Sequence, residues 1–138
     1  MTGLIPNLSF SNMSYVYTSH WSPMKTYFFD IDGTLLTHLD SLEKVLETDF
    51  IKPLPGVREK ISDLHCDGHT IIITTARCES MRPLTIKQLE NAGIVYDQLI
   101  MGITSGSRVL VNDYVSEGKP TAYAHNVLRN VDGLMNLE

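Results

Sequence analysis

Cysteine is scarce in this chain. Cys66 and Cys78 are the two present among 138 residues, and no histidine cluster of zinc-site spacing accompanies them. Neither a disulfide scaffold nor a structural zinc site is expected on that count, and a reducing, cytoplasmic compartment is the expectation. No apolar run approaches the roughly 18 residues that a membrane-spanning helix needs, so no membrane partner is expected. The N-terminus has no basic segment followed by an apolar stretch, the pattern of a secretory leader. Positive charge is in the minority: 11 Lys and Arg stand against 16 Asp and Glu, a net charge of −5. That balance argues against a protein that coats duplex nucleic acid, which requires a basic face. It leaves room for small phosphorylated substrates, which need a few local donors.

What remains is ordinary globular composition, 43% hydrophobic and 20% charged, at a length suited to one domain. Residues 1–23 are rich in Ser, Asn, Thr, Tyr, Gly and Pro and carry no apolar period. They read as a flexible or loosely docked extension, which Tyr17 and Trp21 could pin to the core. Met24 opens a segment like a protein start, so Met1 and Met24 are both candidate initiators. Residues 24–138 read as the folded domain.

From Lys25 onward strand and helix patterns alternate. Residues 27–31 (YFFDI) form a short apolar run of β-formers, as a buried parallel strand does. Residues 56–67 place Val57, Ile61 and Leu64 on one helical face, with Gly68 as the stop. Residues 69–75 (HTIIITT) read as a second buried strand. Residues 79–92 read as a helix with Pro83 in the first turn and Gly93 beyond its end. Residues 96–101 suggest a short strand, 108–112 (RVLVN) a further buried strand, and 121–127 a polar-alternating edge strand containing His125. The alternation predicts an α/β fold with a mostly parallel sheet and Asp30 at the end of its central strand. Ligands in such sheets bind beyond the carboxyl ends of the strands.

Those carboxyl ends carry chemistry. The first strand runs into Asp30-Ile31-Asp32-Gly33-Thr34, the second into Thr74-Thr75-Ala76-Arg77, and the 108–112 run into Asn112-Asp113. An isolated Asp-Gly is most often a turn, and an isolated strand-end Thr is most often structural; their joint placement is what points to a site. Carboxylates gathered on one rim require a cation. Hard oxygen ligands with no soft ligand nearby select Mg²⁺.

The segments FFDIDGTLL, IIITTAR and RVLVND resemble motifs I, II and IV of the haloacid dehalogenase (HAD) superfamily of phosphatases. The resemblance covers about residues 25–130, and the first motif is its specific part. It implies a three-layer Rossmannoid core and Mg²⁺-dependent phosphoryl transfer through an aspartyl-phosphate. Carried over, Asp30 is the nucleophile and a metal ligand, and Asp32 the general acid and base whose carbonyl also binds the metal. Asp113 completes the metal site. Gly33 and Thr34 form a turn whose N–H groups meet the phosphate, Thr75 (with Thr74 as the alternative) bonds a phosphoryl oxygen, and Ala76 and Arg77 border the substrate. The family's third-motif Lys or Arg is missing from residues 101–107. Lys119 is the favoured replacement; Arg77 and Arg108 are the others, Arg108 being disfavoured because it begins its strand at the end opposite Asp113. His38 reads as a solvated loop residue, and Cys78 has no partner base that would make it a nucleophile.

Neither gap between the motifs has room for a cap domain, so the resemblance implies a small capless enzyme with an open site. An open site calls for a large substrate or a second subunit as lid, hence an expected homo-oligomer. Small capless relatives act on sugar phosphates, nucleotides, nucleic-acid ends and phosphoproteins. The stretch VNDY…GKPTAYAHNVLRN resembles small bacterial and phage phosphatases of surface-polysaccharide synthesis. The competing expectation is a non-catalytic or slow phospho-accepting module on the same core. Asp32 discriminates, because hydrolysis needs a proton-transfer group at that position and a phospho-switch does not.

Overall fold

A computed structural model describes residues 23–138; the expectations for residues 1–22, Tyr17 and Trp21 included, lie outside the described residues. Two compact units divide the chain: one comprises Met24–Val109 and Ala124–Glu138, and the other holds Leu110–Tyr123.

The larger unit is a mixed α/β structure. Its strands are β1 (Thr26–Phe29), β2 (Thr70–Thr74) and β3 (Gln98–Ile100), and its helices are α1 (Leu42–Leu46), α2 (Val57–Cys66) and α3 (Arg82–Asn91), the last preceded by a 3₁₀ turn over Glu79–Met81. The three strands form one sheet in the order β1-β2-β3. Both pairings are parallel, with Phe29 opposite Ile73 and Thr74 opposite Ile100. Parallel neighbours need a crossover, and α2 and α3 provide one each. Every β2 residue is β-branched, and Ile71 and Ile73 are fully buried, as suits the middle strand of a covered sheet. Helix α2 buries Val57, Ile61 and Leu64, the predicted face, and the chain leaves it through Gly68 at φ 93°. Pro83 sits in the first turn of α3, where its missing N–H costs no helical bond. Among the described residues no helix is long and apolar enough to cross a membrane.

Three expectations are corrected. Among the described residues β2, not β1, is the central strand, and Asp30 follows a strand at the end of the order. Residues 108–112 are not a strand: Val109, Leu110 and Val111 are 84%, 60% and 87% exposed. Apolar composition gives a run the capacity for strand pairing, but a strand also needs a ladder partner, and among the described residues this run has none. Residues 121–127 likewise form no strand. In the smaller unit the ladder is instead a short antiparallel hairpin, β4 (Tyr114–Ser116) and β5 (Lys119–Pro120), turning through Gly118 at φ 76°. His125 lies in exposed irregular chain.

The C-terminal segment of the larger unit closes onto its first loops. Leu134 is buried in the core and its N–H donates to the Pro55 carbonyl at 3.0 Å. Gly133, at φ 53°, lies against the same backbone: a Cβ there would be 2.3 Å from the Pro55 oxygen. Gly133→Ala is expected to destabilise the protein by at least about 1 kcal/mol in urea unfolding, because neither the positive φ nor the backbone contact tolerates a methyl group. An unchanged midpoint would show that this segment is not seated as described.

Candidate functional site

Beyond Phe29 the chain leaves β1 and enters a tight loop. The Ile31 carbonyl accepts hydrogen bonds from the N–H groups of Thr34, Leu35 and Leu36, and the Gly33 N–H donates to the Leu36 carbonyl at 2.8 Å. Ile31, Leu35 and Leu36 are fully buried and anchor the loop, while Asp30, Asp32 and Thr34 stay partly accessible. Gly33 takes φ 87°, a conformation that a side chain resists. This geometry revises one expectation: the N–H groups of Gly33 and Thr34 are used inside the loop and do not point outward as phosphate donors.

Asp30 stands at the centre of the accessible group. The Thr34 hydroxyl donates to its Oδ2 at 3.4 Å, and the Arg108 guanidinium approaches its Oδ1 at 3.7 Å. Both members of the Asp30–Arg108 pair are nearly half exposed, with side-chain accessibilities of 43% and 46%. Partial burial pushes the Asp30 carboxyl above its usual range; Arg108, the Ile31 N–H and the Thr34 hydroxyl pull the other way, and the Asp32 charge adds to the push. The cation facing the nucleophile candidate is therefore Arg108, which the strand reading had directed away from it. That reading failed because it depended on a strand that does not form.

Asp32 is held differently. Arg77 donates through Nε to Asp32 Oδ2 at 2.9 Å and through Nη2 to Oδ1 at 2.8 Å, a two-pronged ion pair. Its Nη1 donates to Thr85 Oγ1 at 3.1 Å and Gln88 Oε1 at 2.6 Å. The Gln88 amide nitrogen in turn donates to the carbonyls of Val45 and Thr48 at 2.9 and 2.8 Å. Arg77, Thr85 and Gln88 are all buried. Arg77 is thus committed to Asp32 and to α3. Sequence reasoning missed Thr85 and Gln88; the signal was two polar residues spaced i, i+3 on a helix following a strand-end Arg.

Thr75 follows β2 directly and is buried; its hydroxyl accepts the Arg77 N–H at 3.1 Å and keeps its own proton to donate. Thr74, within β2, is half-buried, and Ala76 is exposed at the turn. Asp113 and Lys119 belong to the smaller unit. Asp113 precedes β4, its carbonyl accepting the Thr121 hydroxyl at 2.5 Å, and Lys119 lies exposed in β5. His38 is tied through its backbone to the Asn130 side chain, and Cys66 and Cys78 are free thiols.

Among the described residues no three His, Cys, Asp or Glu side chains converge as a metal cluster. Mg²⁺ does not demand one: it commonly binds one or two carboxylates, keeps waters and shares substrate phosphate. The accessible Asp30 carboxylate and the Asp32 carbonyl fit that hard-oxygen chemistry.

No family model matches the chain, and no curated protein matches it. Among solved structures, the crystal structure of a target protein from Vibrio cholerae aligns over 65% of this chain and 80% of its own, with 23% identity and a TM-score of 0.47. A likeness at that level carries no argument about activity.

Two outcomes follow from the site. Removing Arg77 strands a carboxylate, so Arg77→Ala is expected to cost about 3 kcal/mol in urea unfolding. Arg77→Ala combined with Asp32→Asn should cost less than Arg77→Ala alone, since no charge is then left unpaired; additive losses would disprove the coupling. For Asp30 the raised carboxyl means that ionisation opposes folding at pH above its folded value, an effect relieved as pH falls through that value towards 3.8. In EDTA, Asp30→Asn should therefore melt higher than the wild type at pH 7, with the gap closing in acid. Equal melting at both pH values would refute this.

Proposed function

We propose that the chain is a phosphohydrolase that attacks a phosphomonoester with Asp30 and passes through an aspartyl-phosphate on a HAD-like core. The observation that carries this reading is the accessible Asp30 carboxylate at the end of β1, with the Arg108 guanidinium 3.7 Å away. A nucleophilic carboxylate beside a fixed cation suits phosphoryl transfer, where positioning and charge stabilisation supply most of the catalysis. In the first step an Asp30 oxygen bonds to phosphorus and the bond to the ester oxygen breaks. Arg108 stabilises the charge on the phosphoryl oxygens, and the Thr34 and Thr75 hydroxyls are the neighbouring donors. Asp32 delivers a proton to the departing oxygen, for which one of its two Arg77 contacts gives way. In the second step Asp32 takes a proton from water, which attacks phosphorus and frees Asp30. Mg²⁺, held by Asp30 and the Asp32 carbonyl, would neutralise phosphate charge. The substrate class is a small phosphorylated metabolite, with a sugar phosphate as the first choice.

A second reading has its own support. Both Asp32 oxygens are occupied by Arg77, and a carboxyl that stays so tied moves no protons. The chain would then accept phosphate on Asp30 and release it slowly, as a phospho-accepting module.

Assays on p-nitrophenyl phosphate and on sugar phosphates separate the two. A hydrolase turns over many equivalents with Mg²⁺ and stops with EDTA; a module stops after one. Asp30→Asn should abolish turnover on every substrate. Asp32→Asn should lose about 10²–10⁴-fold on sugar phosphates, whose leaving oxygen is basic. On the aryl ester it should release one burst of p-nitrophenol, then stall with phosphate on the Asp30 peptide by mass spectrometry. Arg108→Ala should lower kcat by about 10²–10³-fold, the scale for one charge-stabilising donor. Phosphate recovered on Thr75 or Cys78, or activity surviving Asp30→Asn, would overturn the mechanism.

A further inference from the structure

The Arg77 and Arg108 guanidinia are accounted for, but a third arginine reaches the same loop from the C-terminal segment. A Cβ built on Gly33 would lie 2.7 Å from Arg129 Cγ and 3.5 Å from its Nε, so the Arg129 side chain runs directly across the glycine of the Asp-Gly turn. The turn that carries Arg129 is fastened on both sides. The Asn130 N–H donates to the Gly33 carbonyl at 3.0 Å. The Asn130 side chain accepts the His38 N–H at 2.6 Å and donates to the His38 carbonyl at 3.1 Å. Asp132 caps the turn by accepting the Leu128 N–H at 2.7 Å. Asn130 itself takes φ 62°, the one non-glycine residue at positive φ among the described residues. Every polar link in this turn fixes backbone, and none of them uses the Arg129 guanidinium. Arg129 is exposed and has no ion pair or side-chain hydrogen bond among the described residues.

We propose that Arg129 is a specificity-determining residue that binds a second anionic group, a phosphate or carboxylate, carried on the leaving-group part of the substrate. The inference rests on the phosphohydrolase reading and sharpens it. Arg108 already faces Asp30, where the transferred phosphoryl group would sit, and Arg77 is buried against Asp32. Among the described residues Arg129 is the unpaired cation at the motif loop, and its stem runs across Gly33. The gaps between the motifs are too short for an inserted cap domain, so on this reading recognition falls to residues at the rim of the loop. A guanidinium suits the task because its planar fork bonds phosphate or carboxylate through two donors. The preferred substrates are therefore sugar bisphosphates or phosphorylated sugar acids, in preference to monophosphates of neutral sugars.

The test uses the full chain as Asp30→Asn, which binds without turnover, in isothermal titrations with fructose 6-phosphate, fructose 1,6-bisphosphate and 6-phosphogluconate. The bisphosphate is expected to bind about 10–100-fold tighter than the monophosphate, the scale of a charge-assisted hydrogen bond. A matching gain with 6-phosphogluconate would assign Arg129 to anions generally, and a gain with the bisphosphate alone would assign it to phosphate. Adding Arg129→Gln should erase the preference, and adding Arg129→Lys should keep most of it; equal melting temperatures would show that the turn stays seated. No preference in Asp30→Asn, or a preference that survives Arg129→Gln, overturns the assignment. Turnover is read separately on the wild type. A wild type that binds the bisphosphate selectively but hydrolyses nothing defeats the phosphohydrolase reading and leaves the anion site standing. A wild type that hydrolyses monophosphates and bisphosphates alike, with no difference in binding, does the reverse.

Discussion

The forked ion pair between Arg77 and Asp32 is the constraint around which the larger unit is arranged. It joins the loop after β1 to the turn after β2. Through Thr85 and Gln88 it extends into α3, and through the Gln88 amide to the carbonyls at the end of α1. A buried guanidinium is costly unless its donors are satisfied. Here Nε, Nη1 and Nη2 all have acceptors, and no buried side-chain polar atom in the described structure is left without a partner. The pair also separates the two motif carboxylates into different environments. Asp32 is fixed in orientation, whereas Asp30 remains accessible with a raised carboxyl and a looser cation at 3.7 Å.

Much of this was legible in the sequence where local pattern and tertiary demand agree. HTIIITT has no plausible role except as a covered strand, and Val57, Ile61 and Leu64 declare the buried face of α2. The glycines at 68 and 93 mark helix ends because positive φ suits them. The Asp-x-Asp-Gly-Thr loop was readable because its spacing is specific. Other features were hidden for physical reasons. Helix α1 has five residues, too few for a periodic signal, and its Ser41 cap is the only local cue. The run RVLVN has strand composition, but composition does not say whether a neighbouring strand is available. Arg77 was misread because a strand-end arginine is equally suited to an open rim and to a buried fork. Only the polar face of a helix several residues downstream decides between them.

The loop holding both carboxylates is thus shaped from three directions: its own apolar residues Ile31, Leu35 and Leu36 point into the core, Arg77 grips one acid, and the C-terminal turn lies over its glycine. Gly33 has a double requirement in this arrangement. Its φ of 87° excludes side chains on conformational grounds, and Arg129 occupies the volume that a side chain would need. A substitution there would disturb backbone and cation together.

The bond from His38 to Asn130 spans 92 positions of sequence. Closing so long a loop carries an entropic cost that local turns do not, and during synthesis the earlier segment is exposed well before its partner exists. The β1–β2 pairing and the Arg77 fork consist of residues made before Asn130. The arginine across the Gly33 turn arrives only with the later chain. In the finished protein the loop and the turn over its glycine are thus joined by parts of the chain made at opposite ends of its synthesis.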